Sequence, residues 1–474
     1  MLGKALTTAA AGNAAGEATY VEDVFSTYLH EGTNADQTIT NGVNLEEEGG
    51  LVWVKNRGFT TNHQLSDTER GLSGTIESST TSAQYTRQWI KSVSTDGFVL
   101  DGSVGGIAGS NDSAYDYASW TFRKAPKFFD VVTYTGNGVA GHTISHNLGS
   151  VPGCIIVKST SNAYEWPVYH RGADSTSPEN YRLKLNETNA AATNSVWNNT
   201  APTDTEFTVG TASEINLNGG TFVAYLFAHN DDDGEFGEDS DQDIIKCGSY
   251  TGNSSTLPNT ISLGFEPQWV MVKKSNGTSD WAIWDIMRGM SLSSNAEALE
   301  PNTADAESTT GNIIVYPTAD GFEFNDASDF ANINGGSYIY IAIRRGPMKT
   351  PESGTEVFNP VVYTGDNTSD RLIDTSLVTD AIFVKERNDT QVYGMHVTSR
   401  LTDRYYLKTS ETAIEIQSSI AFLSPAFDSM SGVFVGNDPA AKLNSDTASN
   451  NHVAHAFRRA PGFFDVVAYE GTGS

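Results

Sequence analysis

The sequence predicts an all-β protein made of four tandem antiparallel β-sandwich repeat domains of jelly-roll type, preceded by a short N-terminal leader. Short apolar runs such as residues 51–54 and 269–272 alternate with clusters of Gly, Asn, Asp, Ser and Thr at strand-plus-turn spacing. A set of sequence markers recurs four times, which indicates repeated domains. Sustained helical periodicity is absent beyond the first 16 residues, so we expect little helix.

The most regular marker is a short apolar strand that ends in Val-Lys. It occurs four times, and successive lysines are 103, 115 and 112 residues apart. An arginine follows each lysine after 15, 13, 15 and 15 residues. The resulting pairs are Lys55 with Arg70, Lys158 with Arg171, Lys273 with Arg288, and Lys385 with Arg400.

Two further markers flank each lysine in the same order. An aromatic residue followed two positions later by glycine stands 22 to 25 residues before the lysine. These residues are Tyr134, Tyr250, Tyr363 and, in the first copy, His30. Each copy closes with an alternating aromatic strand, and the motif Asp-Gly-Phe precedes it at Asp96 and Asp320. Several spaced markers in register predict four homologous domains of about 100 residues.

These markers set the predicted domain boundaries. The segment after the fourth domain repeats the opening strand once more, so it is either the start of a truncated fifth repeat or a pairing strand. The predicted parts are a docking leader (1–19), four repeats (20–126, 127–230, 244–347 and 348–461), an acidic linker (231–243) and the final segment (462–474).

The charge of the chain excludes several classes of function. Lys and Arg total 29 against 58 Asp and Glu, which gives a net charge of −29. Such a chain repels phosphate, so we expect no nucleic-acid partner. No run of about 18 apolar residues is present, so we expect no membrane insertion, and the leader lacks the apolar core of a secretory signal. Cys154 and Cys247 form neither a disulfide framework nor a metal-ligand cluster.

The repeated lysines and arginines allow two interpretations. They could line a groove for an acidic sugar. Alternatively, each lysine ends a strand beside a carboxylate, and each arginine closes a hairpin by binding a backbone carbonyl. Repetition in all four copies favours the structural role, because a catalytic site seldom needs four tandem copies.

Other candidate sites are weaker. The acidic run 231–243 fails the calcium-loop pattern, because position 6 is Phe236 or Ile244 where that loop needs glycine, so a solvated linker is favoured. His142 and His146 are too few ligands for zinc. Trp197, in the polar stretch 194–200, is the best exposed candidate for stacking on a glycan. No catalytic motif, metal site or cofactor is predicted, and no carboxylate pair is singled out among the 58 acidic residues.

Several segments resemble a repeat family of structural proteins from marine tailed phages: 50–55, 120–124 with 128–132, 245–252, and the opening 1–12. The resemblance implies a virion protein, assembled in the host cytoplasm, in a tail or a fibre. Its leader would dock on other virion proteins, it would be a homo-oligomer (a trimer by analogy with fibres), and its domains would contact a host surface glycan or protein. The alternatives are a capsid-attached fibre or decoration protein, a glycan-degrading tailspike enzyme, and a bacterial surface adhesin.

Overall fold

A computed structural model describes most of the chain, and it is almost entirely β-structure. Strands account for 40% of the residues and helices for 4%, so the predictions of an all-β fold and of little helix are confirmed. No helix in the described part is long and apolar enough to cross a membrane. Most of the leader and the end of the chain lie outside the described residues. These are 18–103, 109–292, 296–308, 313–328, 330–388, 394–418, 421–423, 425–438, 441–444 and 450–467.

We call the four marker-bounded segments unit 1 (20–126), unit 2 (127–230), unit 3 (244–347) and unit 4 (348–461). Unit 1 forms two antiparallel sheets after one short helix. Its elements are α1 (Val21–Val24), β1 (Phe25–Glu31), β2 (Gln37–Thr40), β3 (Gly50–Asn56), β4 (Gln64–Asp67), β5 (Gly74–Glu77), β6 (Tyr85–Thr86), β7 (Ile90–Ser94), β8 (Gly97–Leu100) and β9 (Asp116–Arg123). The larger sheet has the order β1-β9-β3-β4-β5-β6 and the smaller β2-β8-β7.

Unit 2 has a six-stranded and a two-stranded sheet. Its strands are β10 (Phe129–Thr135), β11 (His142–Ser145), β12 (Cys154–Ser159), β13 (Pro167–His170), β14 (Tyr181–Lys184), β15 (Ala192–Thr193), β16 (Glu206–Val209) and β17 (Thr221–Phe227). Two short helices accompany them, a 3₁₀ turn (Pro178–Asn180) and α2 (Ser213–Asn216). The sheet orders are β10-β17-β12-β13-β14-β15 and β11-β16.

Unit 3 has a four-stranded and a three-stranded sheet. Its elements are β18 (Ile245–Thr251), β19 (Asn259–Ser262), β20 (Pro267–Lys274), β21 (Trp281–Asp285), a 3₁₀ turn (Ile286–Arg288), β22 (Val315–Thr318), β23 (Gly321–Phe324) and β24 (Ser337–Arg344). The sheet orders are β18-β24-β20-β21 and β19-β23-β22.

Unit 4 has a six-stranded and a two-stranded sheet. Its elements are a 3₁₀ turn (Gly354–Glu356), β25 (Phe358–Thr364), β26 (Arg371–Asp374), β27 (Ala381–Glu386), β28 (His396–Ser399), β29 (Tyr405–Lys408), β30 (Ile416–Gln417), β31 (Gly432–Val435) and β32 (Asn451–Phe457). The sheet orders are β25-β32-β27-β28-β29-β30 and β26-β31.

The sequence markers occupy matching register positions in the four larger sheets. The aromatic marker always pairs with the first aromatic residue of the closing strand, and the two rings stack, which stabilises the strand pair. The pairs are His30–Tyr117 (5.1 Å between ring centroids), Tyr134–Phe222 (5.0 Å), Tyr250–Tyr338 (5.0 Å) and Tyr363–His452 (4.8 Å). The marker lysine always pairs with the next residue of that strand: Lys55 with Ala118, Lys158 with Val223, Lys273 with Ile339, and Lys385 with Val453.

The glycine of the Asp-Gly-Phe marker is explained by a close backbone approach. A Cβ atom at Gly97 would lie 2.0 Å from the carbonyl oxygen of Ile39, and one at Gly321 would lie 1.9 Å from that of Ile261. Any side chain at either position would therefore separate the two strands of the smaller sheet.

The apolar core does not follow the unit boundaries. One continuous buried cluster joins residues of units 1, 2 and 3, whereas unit 4 has a cluster of its own. A third cluster lies between the two sheets of unit 1. Units 1 to 3 therefore pack on one another through the outer faces of their larger sheets.

Candidate functional site

The marker lysines lie at the contacts between units. Lys55, Lys158 and Lys273 are at most 1% exposed. Each Nζ donates a hydrogen bond to a carbonyl oxygen in a loop of a different unit. The bonds run from Lys158 to Thr81 (2.8 Å), from Lys273 to Thr188 (3.0 Å) and from Lys55 to Ala304 (3.4 Å).

A second bond repeats beside each lysine. Three residues further along the loop, a backbone N–H donates to the carbonyl oxygen two residues after the lysine. These bonds join Gln84 to Thr160 (3.0 Å), Ala191 to Ser275 (2.8 Å) and Glu307 to Arg57 (2.8 Å). We call this pair of bonds the loop–lysine junction. Unit 1 reaches unit 2, unit 2 reaches unit 3, and unit 3 reaches unit 1, so the three units form a closed ring.

Aromatic side chains of all three units meet inside the ring. The ring of Phe122 lies 5.5 Å from that of Phe227 and 5.9 Å from that of Trp269. Phe25 contacts the same tryptophan at 6.2 Å. All four side chains are at most 2% exposed. The ring is therefore closed by an apolar centre as well as by the three junctions.

The environment of the lysines differs from the expected carboxylate partner. Their direct partners are carbonyl oxygens, and burial lowers the pKa of Lys55, Lys158 and Lys273 to about 8. The side chains are thus still charged at pH 7, where carbonyl oxygens accept strong hydrogen bonds from an ammonium group. A lysine enclosed by backbone in this way holds a loop and leaves no groove for a sugar.

We expect Lys158→Met to lower the free energy of unfolding by about 1–3 kcal/mol, because it leaves the buried carbonyl oxygens of Thr81 and Tyr164 without their donor. Lys385→Met is the matched control. That lysine is partly exposed, so its loss should cost less than about 1 kcal/mol. Urea unfolding of both variants measures the difference, and equal costs would contradict a special role for the junction.

The marker arginines occupy two different structural positions. Arg70 and Arg288 each bind the carboxylate of the aspartate three residues earlier, Asp67 and Asp285, at 2.6 and 2.7 Å. Each also donates to a strand carbonyl, that of Leu65 (3.1 Å) or of Ile283 (3.0 Å).

Arg171 and Arg400 instead directly follow the residue that ends the corresponding strand, His170 or Ser399. Their backbone N–H groups bind the carbonyl oxygens of Gly153 (2.9 Å) and Asp380 (2.8 Å). Arg171 is exposed. The similar lysine–arginine spacing conceals this difference because unit 4 has two more residues than the other units between its lysine and the end of that strand.

A buried ionic cluster joins units 1, 3 and 4. Arg57 binds Glu307 (2.6 Å), Asp428 (2.8 Å) and Glu297 (3.5 Å), and Arg288 also binds Glu307 (2.6 Å). Burial raises the pKa of Glu297 to about 8. Burial also acts to raise the pKa of Glu307, but the two guanidinium groups lower it below its usual value.

One protonated and one ionised carboxyl group is the arrangement that glycoside hydrolases use. Here Glu307 is only 7% exposed and is held by two arginines, and neither carboxylate lines the cavity described next. The pair is therefore placed to join units rather than to receive a sugar.

A cavity of about 1190 Å³ lies between units 3 and 4. Its charged lining residues include Glu266, Arg345 and Arg459, which bind one another: Glu266 accepts from Arg345 at 2.5 Å and from Arg459 at 2.8 Å. Tyr316 and Phe463 contribute aromatic surface. These arginines are already paired and hold the two units together.

The predicted exposure of Trp197 is wrong. The side chain is 2% exposed and packs edge-on against Tyr169, with 5.9 Å between the ring centroids. The polar residues around it form a turn that faces solvent while Val196 and Trp197 point into the core. A buried indole cannot stack on a glycan.

The acidic run 231–243 is more ordered than a solvated linker. Phe236 is 2% exposed and belongs to the shared core. The Asp243 carboxylate accepts the N–H groups of Asp232 and Gly234, both at 3.0 Å. Lys127 binds Glu235 at 2.9 Å. Within the described ranges no three potential ligands cluster around a metal position.

The remaining sequence candidates have local roles. His142 Nδ1 lies 3.2 Å from the Asn216 side chain, and His146 Nδ1 accepts the N–H of Leu148 at 3.3 Å. Cys154 and Cys247 are buried free thiols, and burial raises the pKa of Cys154 well above its usual value.

Comparison with known proteins gives one match. A family model described as Domain of unknown function (DUF7483) matches residues 21–347. The chain belongs to this family. No curated protein and no solved structure matches it. The DUF7483 match begins at the first residue of α1 and ends three residues after β24, so it covers the ring of units 1 to 3 and stops before unit 4.

Proposed function

We propose that the chain is a non-enzymatic structural protein of a phage virion, most simply a tail fibre or tail-associated appendage. In this proposal residues 1–19 dock on other virion proteins of the tail or vertex. The rest of the chain consists of four tandem β-sandwich repeats of jelly-roll type that present a surface for host attachment. The sequence resemblance to structural proteins of marine tailed phages suggests the virion.

The four-repeat interpretation is supported by strand order and register. In each unit the closing strand lies between the opening strand and the lysine strand, as in β1-β9-β3 and β25-β32-β27. The four marker lysines pair with corresponding residues of their closing strands. Common descent of four copies explains both observations.

The observation that carries the structural role is the closed ring of loop–lysine junctions. Three of the four repeated lysines are enclosed by backbone of a neighbouring unit, so the repeated cations serve assembly rather than ligand binding. The result is a rigid block with a net charge of −29. Strong negative charge keeps a dense array of such blocks soluble, and weak contacts to host glycan or protein gain strength when many copies act together.

A capsid-attached fibre or decoration protein is the second candidate, since a rigid acidic block suits that position equally. A glycan-degrading tailspike is less favoured. The carboxylates with the clearest acid–base separation, Glu297 and Glu307, are tied to Arg57 at the junction of three units.

The test is to purify particles on a density gradient, quantify peptides of this chain by mass spectrometry, and trace the chain in a cryo-EM map. We expect a fixed copy number per particle, with residues 1–19 seated in the tail or at a vertex. A chain lying along the capsid would favour decoration. A chain absent from washed particles would overturn the proposal, and glycan-cleavage assays would then test the tailspike alternative.

A further inference from the structure

The closing strand of unit 4 has an open face that its counterparts lack. In β9, β17 and β24 both faces are buried from the second residue onward, apart from the partly exposed last residue of β9 and of β24. In β32 only alternate residues are buried, and Val453, His455 and Phe457 remain partly exposed. Register pairing places Phe457 at the position of Phe122, which lies at the centre of the ring.

The same face continues onto the neighbouring strands of unit 4. Phe383 is partly exposed, and it pairs with His455 just as the buried Trp53 pairs with Trp120. Among the described residues, six of the twelve exposed large hydrophobic side chains lie between 362 and 467. An apolar surface concentrated in this way marks an interaction site.

Unit 4 also carries an unburied counterpart of the junction loop. Pairing of Lys408 with His396 matches that of Glu77 with Gln64, so Thr412 corresponds to Thr81. Residues 409–415 are all exposed, and Ile414 is 88% exposed. In units 1 to 3 the equivalent loops lie partly buried against the next unit.

The attachment of unit 4 to the rest of the chain lies at a different place. Arg345 of unit 3 binds Asp380, Arg459 binds Glu266, and the N–H of Leu292 binds the carbonyl oxygen of Leu401 at 2.9 Å. These contacts involve the strand ends near Asp380 and the turn after β28. They leave the open face and the 409–415 loop accessible.

We propose that the open face of unit 4 binds unit 4 of a second copy of the chain, and that three copies close into a ring. The contact within units 1 to 3 is heterologous, since a loop of one unit meets the lysine strand of the next, and it closes after three steps. Unit 4 carries both halves of that contact on different surfaces. The inference rests on the geometry of the ring and does not depend on the virion proposal.

The ring of units 1 to 3 specifies the residues that meet between copies. The carbonyl oxygen of Thr412 approaches Lys385 of the next copy. The N–H of Glu415 approaches the carbonyl oxygen of Arg387, as Gln84 does that of Thr160. His455 and Phe457 of the three copies form the apolar centre.

Analytical ultracentrifugation of the full chain tests the assembly. We expect a species of three times the 51.0 kDa chain mass. His455→Glu on the face and Ile414→Asp on the loop should each lower the trimer fraction at least tenfold. Val139→Asp is the control, because Val139 is 62% exposed in unit 2, away from both surfaces. It should leave the trimer intact.

Disulfide cross-linking tests the register. Arg387→Cys combined with Glu415→Cys should give covalent trimers on a non-reducing gel, whereas either single variant should give dimers at most. The native Cys154 and Cys247 are buried and should not interfere. A monomer or dimer at micromolar concentration, or a trimer insensitive to both surface variants and not cross-linked by the cysteine pair, would overturn the inference. That result would leave particle detection, and so the proposed function, untouched.

Discussion

Phe122→Ala is expected to lower the free energy of unfolding by about 3–5 kcal/mol. Its ring contacts Phe227 of unit 2 and Trp269 of unit 3, and it is fully buried. Truncation leaves a cavity at the point where three units meet, and their surrounding strands cannot collapse into it independently. Urea unfolding and differential scanning calorimetry should therefore show one destabilised transition for the whole ring.

Phe457→Ala is the matched control for this substitution. Phe457 occupies the same register position but is partly exposed, and its ring contacts are Phe358 (5.0 Å), Phe383 (5.2 Å) and Phe464 (5.0 Å), with no second unit. We expect a cost of about 1–2 kcal/mol when unit 4 is not assembled with other copies. Equal costs for the two variants would show that the shared core contributes no more than an ordinary domain core.

Acidification from pH 6.5 to 4 is expected to destabilise the protein by about 4 kcal/mol per pH unit. Burial lowers the pKa of seven of the nine histidines: to about 4 for His30, His229 and His396, to about 3 for His170, and without a stated value for His63, His146 and His452. Between these values and 6.5 the unfolded chain binds more protons than the folded chain, so stability falls as the pH falls.

Two carboxyl groups act in the opposite direction. Burial raises the pKa of Glu297 to about 8 and that of Glu300 to about 7, so the folded state holds their protons more tightly. We discount the partly buried histidines and subtract these two groups, which leaves a net difference of about three protons, the origin of the expected slope.

Urea unfolding at several pH values between 7 and 4 measures this slope directly. His170→Gln removes one fully buried histidine and should lower the slope by about 1.4 kcal/mol per pH unit. A free energy of unfolding that stays constant over this range would contradict the prediction.

Much of the fold follows from local sequence patterns. The alternating runs predict the strands because a sheet buries every second residue, and the aromatic and lysine markers have fixed register because they pair within one sheet. The glycine of Asp-Gly-Phe is required by its contact with Ile39. Such features depend on residues close together in the chain or on directly paired strands.

The closed ring could not be predicted in this way. Lys55 binds the carbonyl oxygen of Ala304, 249 residues away, and a backbone carbonyl leaves no signature in the sequence. The polar neighbours of Trp197 suggested exposure because turn composition reports the surface and not the direction of one side chain. The two arginine positions were likewise hidden, since sequence spacing does not show where unit 4 carries two extra residues.

Closure of the ring also sets a timetable for synthesis. Unit 1 emerges from the ribosome with its lysine pocket empty, because the loop that fills it belongs to unit 3 and is made 249 residues later. At about 5–20 residues per second the wait is roughly 10 to 50 s. During that interval the apolar outer face of β9 has no cover from unit 3, so the nascent chain depends on slow aggregation or on chaperones until Ala304 has left the exit tunnel.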